Sequence, residues 1–357
     1  MIEITGQSYI AGNWITPAGN RFESFNPYNK VSMYSFASCG PSEIEQAARS
    51  AESAFQTYRK LDGKTIGTFL NTIADEIENL GDQLLEVCDS ETALGRVRLT
   101  GERGRTCGQL RAFAELATKG EWVQASIDTA IDDRAPVPKP DLRRMMTAIG
   151  PVAIFGASNF PFAFSTLGGD TASALAAGNP VIVKGHPSHP ATSELFAQAI
   201  GRAIEKCDIP QGVFSLLQGV GNELGADLVK HPVIQAVGFT GSEGGGRALM
   251  DIAAARPQPI PVFAEMGSIN PLFVGPNTLR AQAEGIATGL SGSVCMGTGQ
   301  FCTSPGIVVS VASEVFETTL KTKLSEAPRG YLLNPQIAAS LQAGLENLNR
   351  NPQLEWL

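Results

Sequence analysis

Gly150-Pro151-Val152-Ala153-Ile154-Phe155-Gly156-Ala157-Ser158-Asn159-Phe160-Pro161 is the stretch on which the fold turns. An apolar strand-like run enters a glycine turn, and a polar residue follows. The same order then repeats along the chain. Pro151–Phe155 reads as a strand and Thr166–Ala177 as a helix; Pro180–Lys184 is a strand and Ala191–Lys206 a helix. Val213–Leu217, Glu223–Lys230, Ile234–Phe239, Gly244–Ala255 and Pro261–Ala264 continue the alternation. Strand–turn–helix repeats build a parallel sheet with helices on its faces, so an α/β fold is expected. Ligands on such sheets bind at the carboxyl ends of the strands, where Asn159, Lys184 and Ser242 fall.

Outward from this block the patterns change. Residues 1–37 read as short strands and turns. Ser42 with Glu45 three residues on has the form of a capping box, and Ile66, Phe69, Leu70, Ile73, Ile77 and Leu80 share one face of a helix. More helix is expected from about 82 to 94 and on to about 120. Ile131–Arg144 is rich in Asp, Pro and Arg without helical period, so it reads as an extended excursion, a linker or a protruding hairpin. Beyond Glu265 a second layered unit begins, with Asn270–Val274 a strand, Thr278–Val294 a helix and Gly306–Val311 a strand.

Composition narrows the function. The chain has 357 residues and a net charge of −8, which argues against nucleic acid or an anionic membrane as partner. Six cysteines are scattered without a framework spacing, and no signal-like start or long apolar run occurs, so a cytoplasmic location is expected. The three histidines, at 186, 189 and 231, lie far from Cys302 in sequence, so no metal site is expected there.

Five elements carry chemistry. Gly299-Gln300-Phe301-Cys302-Thr303-Ser304-Pro305-Gly306 sets a cysteine among small residues, which suits an accessible nucleophile. Taken alone, the stretch fits a structural cysteine in a tight turn equally well. Asn159 can aim an amide at a developing oxyanion, although a turn role is the commoner use. Lys184 at a strand end can bind ribose hydroxyls or a phosphate, or simply be solvated. Gly238-Phe239-Thr240-Gly241-Ser242-Glu243-Gly244-Gly245-Gly246 leads a strand into a helix whose amides could hold a pyrophosphate, without being a G-x-G-x-x-G fingerprint or a P-loop. Glu265 follows an apolar strand and could serve as a general base on water, or cap a turn.

The set, in this order, resembles the aldehyde dehydrogenase superfamily from the N-terminus to about residue 311. The wording is closest to the α-ketoglutaric semialdehyde (2,5-dioxovalerate) dehydrogenases, through FGASNFPFAFSTLGGDTASALAAGNPV, AVGFTGS, ARPQPIPVFAEMGSINP and GQFCTSPG. The resemblance implies Cys302 as nucleophile, Glu265 as base and Asn159 as oxyanion donor. It implies a Rossmann-type cofactor site at Phe155, Lys184, Ser188, Phe239, Gly241, Ser242 and Gly246, and no metal. It also implies a nucleotide-binding domain from 1–130 and 149–264, an oligomerisation excursion at 131–148 and a catalytic domain from 265–357. The reaction implied is NAD(P)-dependent oxidation of an aldehyde, 2,5-dioxopentanoate to 2-oxoglutarate, through a cysteine thioester, in a homo-oligomer when full length. Arg103, Arg105, Gln109 and Ser165 are candidates for the substrate carboxylate. A same-fold dehydrogenase for another aldehyde is the alternative.

Two departures shape the expectation. Many members of the superfamily have a Glu where this chain has Pro187; that Glu repels a 2′-phosphate, so NADP is expected as cofactor with NAD possible. No Glu-x-Phe-Gly-Pro element occurs, and superfamily members run well past residue 357. The catalytic domain is therefore expected to be incomplete, and these residues alone to be an inert or nearly inert remnant with an exposed strand edge.

Overall fold

A computed structural model describes residues 3–354. The chain opens with two antiparallel hairpins, β1 (Ser8–Ile10) with β2 (Asn13–Ile15), and β3 (Arg21–Asn26) with β4 (Val31–Ala37). Helices α1 (Pro41–Tyr58), α2 (Gly63–Asn79), α3 (Gly81–Thr92) and α4 (Arg96–Lys119) follow. The expected Ser42–Glu45 cap is corrected here. Helix α1 starts two residues earlier, with Gly40 as the cap, and the Gly40 N–H donates to Glu43 Oε2 at 2.7 Å. Pro41 explains the shift, because a proline at the first helical position has no N–H to satisfy and a φ already set for the helix. The excursion is a hairpin, β5 (Ser126–Asp128) with β6 (Leu142–Arg144), joined further out by a bridge between Ile131 and Lys139. It begins before Ile131, since β5 is its first strand. Ile127, Leu142, Met145 and Met146 are all exposed on or beside it.

The repeated block folds as its pattern requires: β7 (Val152–Phe155), α5 (Gly169–Ala176), β8 (Val181–Lys184), α6 (Pro190–Lys206), β9 (Phe214–Leu217), α7 (Glu223–Lys230), β10 (Ala236–Thr240), α8 (Glu243–Ala254) and β11 (Val262–Glu265). The seven-stranded sheet has the order β11-β10-β7-β8-β9-β1-β2. Strands β7 to β11 run parallel, while β1 adds antiparallel to β9 and carries β2. Successive side chains of a strand point to opposite faces. Val152 and Ile154 accordingly enter the core with α2, α4, α5 and α6, whereas Ala153 and Phe155 enter the core with α1, α7 and α8. Burial on both faces is why these strands read as continuous apolar runs. The strand order reverses at β7, with β8 on one side and β10 on the other. Such a switch point leaves a crevice at the carboxyl ends, where neighbouring loops diverge.

The remaining chain forms β12 (Leu272–Val274), α9 (Pro276–Cys295), β13 (Val308–Ser310), α10 (Glu314–Ser325) and α11 (Pro335–Asn349). Strands β12 and β13 pair in parallel as a separate two-stranded sheet over a small core of Val274, Leu279, Ala287, Leu290 and Phe316. Phe273, Val309 and Val311 are exposed along it. An apolar strand at the side of a two-stranded sheet is an open edge.

Buried carboxylates pin the covering helices. Glu91 is fully buried, and accepts hydrogen bonds from Ala191 N and Thr192 N at 2.9 Å and from Thr192 Oγ1 at 2.8 Å at the start of α6. Burial pushes its carboxyl up to about 7, against the pull of those donors. A folded-state value above the unfolded one gives stability that is full below the unfolded value and is lost as pH rises through the folded one. Glu91→Gln mimics the protonated form. The wild type's advantage in unfolding midpoint over Glu91→Gln should therefore shrink between about pH 5 and pH 8. Thermal melts at matched ionic strength check this, and an advantage that grows with pH would show that the three donors hold the carboxylate ionised.

Candidate active site

The sheet brings three of the expected residues onto one rung. Phe155 of β7 is in register with Lys184 of β8 and with Phe239 of β10. In parallel register these side chains leave the same face of the sheet. The Phe155 and Phe239 rings meet at 6.4 Å between centroids. Phe239 also lies against the turn that follows it, because a methyl group added at Gly241 or Gly245 would meet its ring at 2.7 or 3.1 Å. At Gly246 an added methyl would meet Met266 at 2.6 Å, so that glycine permits a close approach of helix and chain. Ser242 caps α8, its Oγ accepting from Gly245 N at 3.2 Å. Glu243 and Gly244 at the start of α8 are exposed just beyond the carboxyl end of β10, and a helix amino end favours an anion.

Lys184 has neither a carboxylate nor a hydrogen-bond partner among the described residues. Burial lowers its ammonium to about 8. A cation kept partly out of water without an anion is costly, which is the condition a phosphate or ribose ligand relieves. Ser188, by contrast, already has a partner, since Asn334 Nδ2 donates to its Oγ at 2.9 Å. His189 is buried behind this turn, its Nε2 3.0 Å from Ala157 O, and burial holds its imidazole down at about 4. It is neutral at physiological pH and adds no charge to the turn.

Glu265 ends β11, is exposed, and sits beside the α8 turn, with its carbonyl accepting from Gly241 N at 3.0 Å. Its charge and, more strongly, burial raise the carboxyl of Asp170. Cys302 lies exposed in a turn. Asn270 holds that turn, Nδ2 donating to Cys302 O at 2.6 Å and to Ser304 O at 3.1 Å. The Asn159 amide reaches the same loop, where its Nδ2 donates to Gln300 O at 2.7 Å. The expected oxyanion donor thus stands beside the cysteine loop but is bonded to a backbone carbonyl there.

Residues without a sequence signal complete the seam. Arg98 of α4 lies with Cζ 4.9 Å from the Phe160 ring centre and 4.6 Å from that of Phe301, and its Nη2 donates to Asn159 O. Glu102, one turn on, accepts from Phe162 N at 2.8 Å and Ala163 N at 3.0 Å. One helix turn therefore holds the Asn159 carbonyl and the backbone just after it. The candidates for a substrate carboxylate are placed differently. Arg103 donates to Gly81 O, Arg105 stacks on Phe164, Ser165 is buried, and Gln109 lies against Gly169. Only Arg105, which also lies 5.8 Å from the Phe160 ring centre, borders the Asn159 turn. Cys295 ends α9, half-buried beside a cavity of about 180 Å³ that Cys302 does not line. A groove of about 350 Å³ lies at the other end of the sheet, by Gly150, Pro151 and Gln235, away from this chemistry.

The exposed Cys302 turn is thus held by Asn270 and reached through Gln300 by Asn159, while Lys184 and the Ser242 cap stand at the carboxyl ends of the strands. The aldehyde dehydrogenase family model matches residues 14–341. This chain belongs to the aldehyde dehydrogenase family. Alpha-ketoglutaric semialdehyde dehydrogenase 2 of Azospirillum brasilense is 46% identical over 98% of this chain and 68% of its own length. The alpha-ketoglutaric semialdehyde dehydrogenase of Acinetobacter baylyi is also 46% identical, over 98% of this chain and 66% of its own length. The chain thus spans about two thirds of these relatives. The fold matches an NAD-dependent benzaldehyde dehydrogenase from Corynebacterium glutamicum with a TM-score of 0.82 at 21% identity, covering 100% of this chain and 77% of that one. A betaine aldehyde dehydrogenase from Staphylococcus aureus, solved with NAD+, matches with a TM-score of 0.81 at 22% identity, covering 96% of this chain and 69% of that one. The family's chemistry is NAD(P)-dependent oxidation of aldehydes. Among the described residues no helix is long and apolar enough to cross a membrane, and no group of three His, Cys, Asp or Glu is placed to hold a metal ion.

Arg98→Met keeps the volume between the two rings and removes the cation and its donor. Desolvated cation–π contacts and charge-assisted hydrogen bonds are each worth about 2 kcal/mol, so the variant should lose about 2–4 kcal/mol of unfolding free energy. Urea unfolding followed by tryptophan fluorescence measures it, and a loss under about 0.5 kcal/mol would make the stack incidental.

Proposed function

We propose that Cys302 is the nucleophile, Glu265 the base and Asn159 an oxyanion donor in the oxidation of 2,5-dioxopentanoate to 2-oxoglutarate with NADP. The observation that carries the catalytic assignment is the exposed Cys302 turn docked through Gln300 on Asn159. The Cys302 thiolate adds to the aldehyde carbon, and the carbonyl oxygen takes up the negative charge. Donors for that oxygen are the Asn159 amide, once it leaves Gln300 O, and the Cys302 N–H. A dinucleotide held at this rim would supply the hydride acceptor, and loss of that hydride from the thiohemiacetal carbon would leave a thioester on Cys302. Glu265 then takes a proton from the water that hydrolyses it and frees the thiol. The 46% identity to two alpha-ketoglutaric semialdehyde dehydrogenases supports that choice of substrate.

Cofactor contacts are assigned to Phe155, Lys184, Ser188, Phe239, Gly241, Ser242 and Gly246, with the phosphates at the α8 amino end. NADP is favoured because Pro187 offers no charge against a 2′-phosphate while Lys184 stands unpaired beside it. The exposed apolar hairpin from β5 to β6 suits contact with a second copy in a homo-oligomer, and free thiols throughout suit the cytoplasm.

A single-turnover experiment tests the reading. With NADP and 2,5-dioxopentanoate, Glu265→Gln in a chain extended to the length of these relatives should release about one NADPH per Cys302 and leave a trapped acyl group on that residue. Cys302→Ala should give neither. An acyl adduct elsewhere, or NADPH formed without Cys302, overturns the assignment.

The pH dependence of binding tests the lysine. Below about 8 the Lys184 ammonium carries its charge, and above it the charge is lost. NADP affinity should fall by about tenfold between about pH 7 and pH 9, and Lys184→Met should be weak and flat across that range. Fluorescence titration with NADPH measures both, and an unchanged slope in the variant removes Lys184 from the phosphate site.

A further inference from the structure

A polar strap joins the cofactor turn to the cysteine loop. Gln300 uses its whole amide, with Nε2 donating to Gly297 O at 3.1 Å and Tyr331 O at 3.0 Å, and Oε1 accepting from Leu333 N at 3.0 Å. Asn334 divides its amide. Its Oδ1 accepts from Ile337 N at 2.9 Å and caps α11, while its Nδ2 donates to Ser188 Oγ at 2.9 Å. The strap is anchored by buried Leu333 and by Tyr331, whose ring meets Tyr28 edge-on at 4.9 Å. Tyr28 in turn donates to Asp89 Oδ1 at 2.9 Å.

Strain in the loop shows what the strap does. Gly297, Thr298 and Gly299 all have left-handed backbone, with φ of 56°, 60° and 75°. Glycine adopts this freely, but for a β-branched residue it is strained and persists only where the surroundings enforce it. The Thr298 side chain is lodged against Gly330, where an added methyl would come within 2.0 Å of its Oγ1. Residues 330–334 therefore hold the segment that sets the position of Cys302.

We propose that Gly330–Asn334 is a positioning strap for the Cys302 loop and that it senses the occupant of the cofactor turn through Asn334 and Ser188. The second half rests on the cofactor reading above. Ser188 Oγ accepts from Asn334, and its own hydrogen has no acceptor among the described residues. A phosphate or ribose oxygen taking that hydrogen makes Ser188 a better acceptor, because hydrogen bonds in a chain strengthen one another. Cofactor binding thus tightens the Asn334 contact and, through Leu333 and Gln300, the loop before Cys302. By linkage, a loosened loop weakens cofactor binding to the same degree.

Hydrogen exchange read by mass spectrometry on residues 296–304 tests the strap. Without cofactor, Asn334→Ser, which loses one hydrogen bond, should speed exchange there by about fivefold or more, and Gln300→Met, which loses three, by at least as much. Serine still caps α11, so exchange within residues 335–349 should not change in Asn334→Ser. Iodoacetamide labelling of Cys302 should shift its pH profile in both variants. With NADP added, the wild type should slow in 296–304, whereas Asn334→Ser should bind NADPH by fluorescence without slowing. Unaltered exchange and labelling in both cofactor-free variants overturn the strap. Wild-type binding of NADPH without slowed exchange overturns the sensing. Absence of NADPH binding defeats the cofactor reading and the sensing with it, while the cofactor-free arm still decides the strap.

Discussion

Burial of the parallel strands on both faces is the constraint from which the site follows. With one core on each side, β7, β8 and β10 offer ligands no face, only their carboxyl ends. Polar groups can leave the sheet there without being trapped between apolar layers. Lys184, Asn159 and the Ser242 cap all stand at that rim. The reversal of strand order at β7 separates neighbouring loops and makes room for a ligand between them. Glycines at 241 and 246 then let Phe239 and Met266 pack against the turn itself.

The seam between this sheet and the unit carrying Cys302 has a different physics. It is crossed by side-chain amides, Asn159 to Gln300 O and Asn334 to Ser188 Oγ, while Asn270 and Gln300 hold the cysteine loop to its own unit by bonding to backbone. One half-buried cation, Arg98, is stacked on two rings from opposite sides of the seam. Hydrogen bonds of this kind fix geometry sharply yet add modest net stability. The small core under β12 and β13 adds little more. Such a contact can be rearranged by a ligand at a cost that binding energy can meet, as alternating partners for Asn159 would require.

Much of the frame was legible before any coordinates. Val152–Phe155, Val181–Lys184 and Phe214–Leu217 are continuous apolar runs bounded by turn residues, and a chain with that pattern has few other ways to bury them. Cys302, Glu265 and Lys184 could be singled out because each interrupts small or apolar neighbours at the end of such a run. The start of α1 was misread by two residues, since Ser42 and Glu45 have the right form but Pro41 sets the first turn. Addition of β1 and β2 to the sheet edge had no local mark, because strand pairing depends on a partner some 200 residues away.

Local pattern determined the class of fold, the order of its elements and which turns carry reactive side chains, because periodicity and turn chemistry act over a few residues. Tertiary structure alone decided what those side chains touch. Arg98 is 61 residues from the Asn159 carbonyl it holds, and Asn334 is 146 from Ser188. Neither spacing has a period, and each residue alone reads as an ordinary helix cation or helix cap. The partnering of Asn159 with Gln300 rather than solvent, and the left-handed Thr298 lodged on Gly330, arise only when the two units meet. Long-range contacts of this kind are set by how whole faces pack, which no short stretch of sequence encodes.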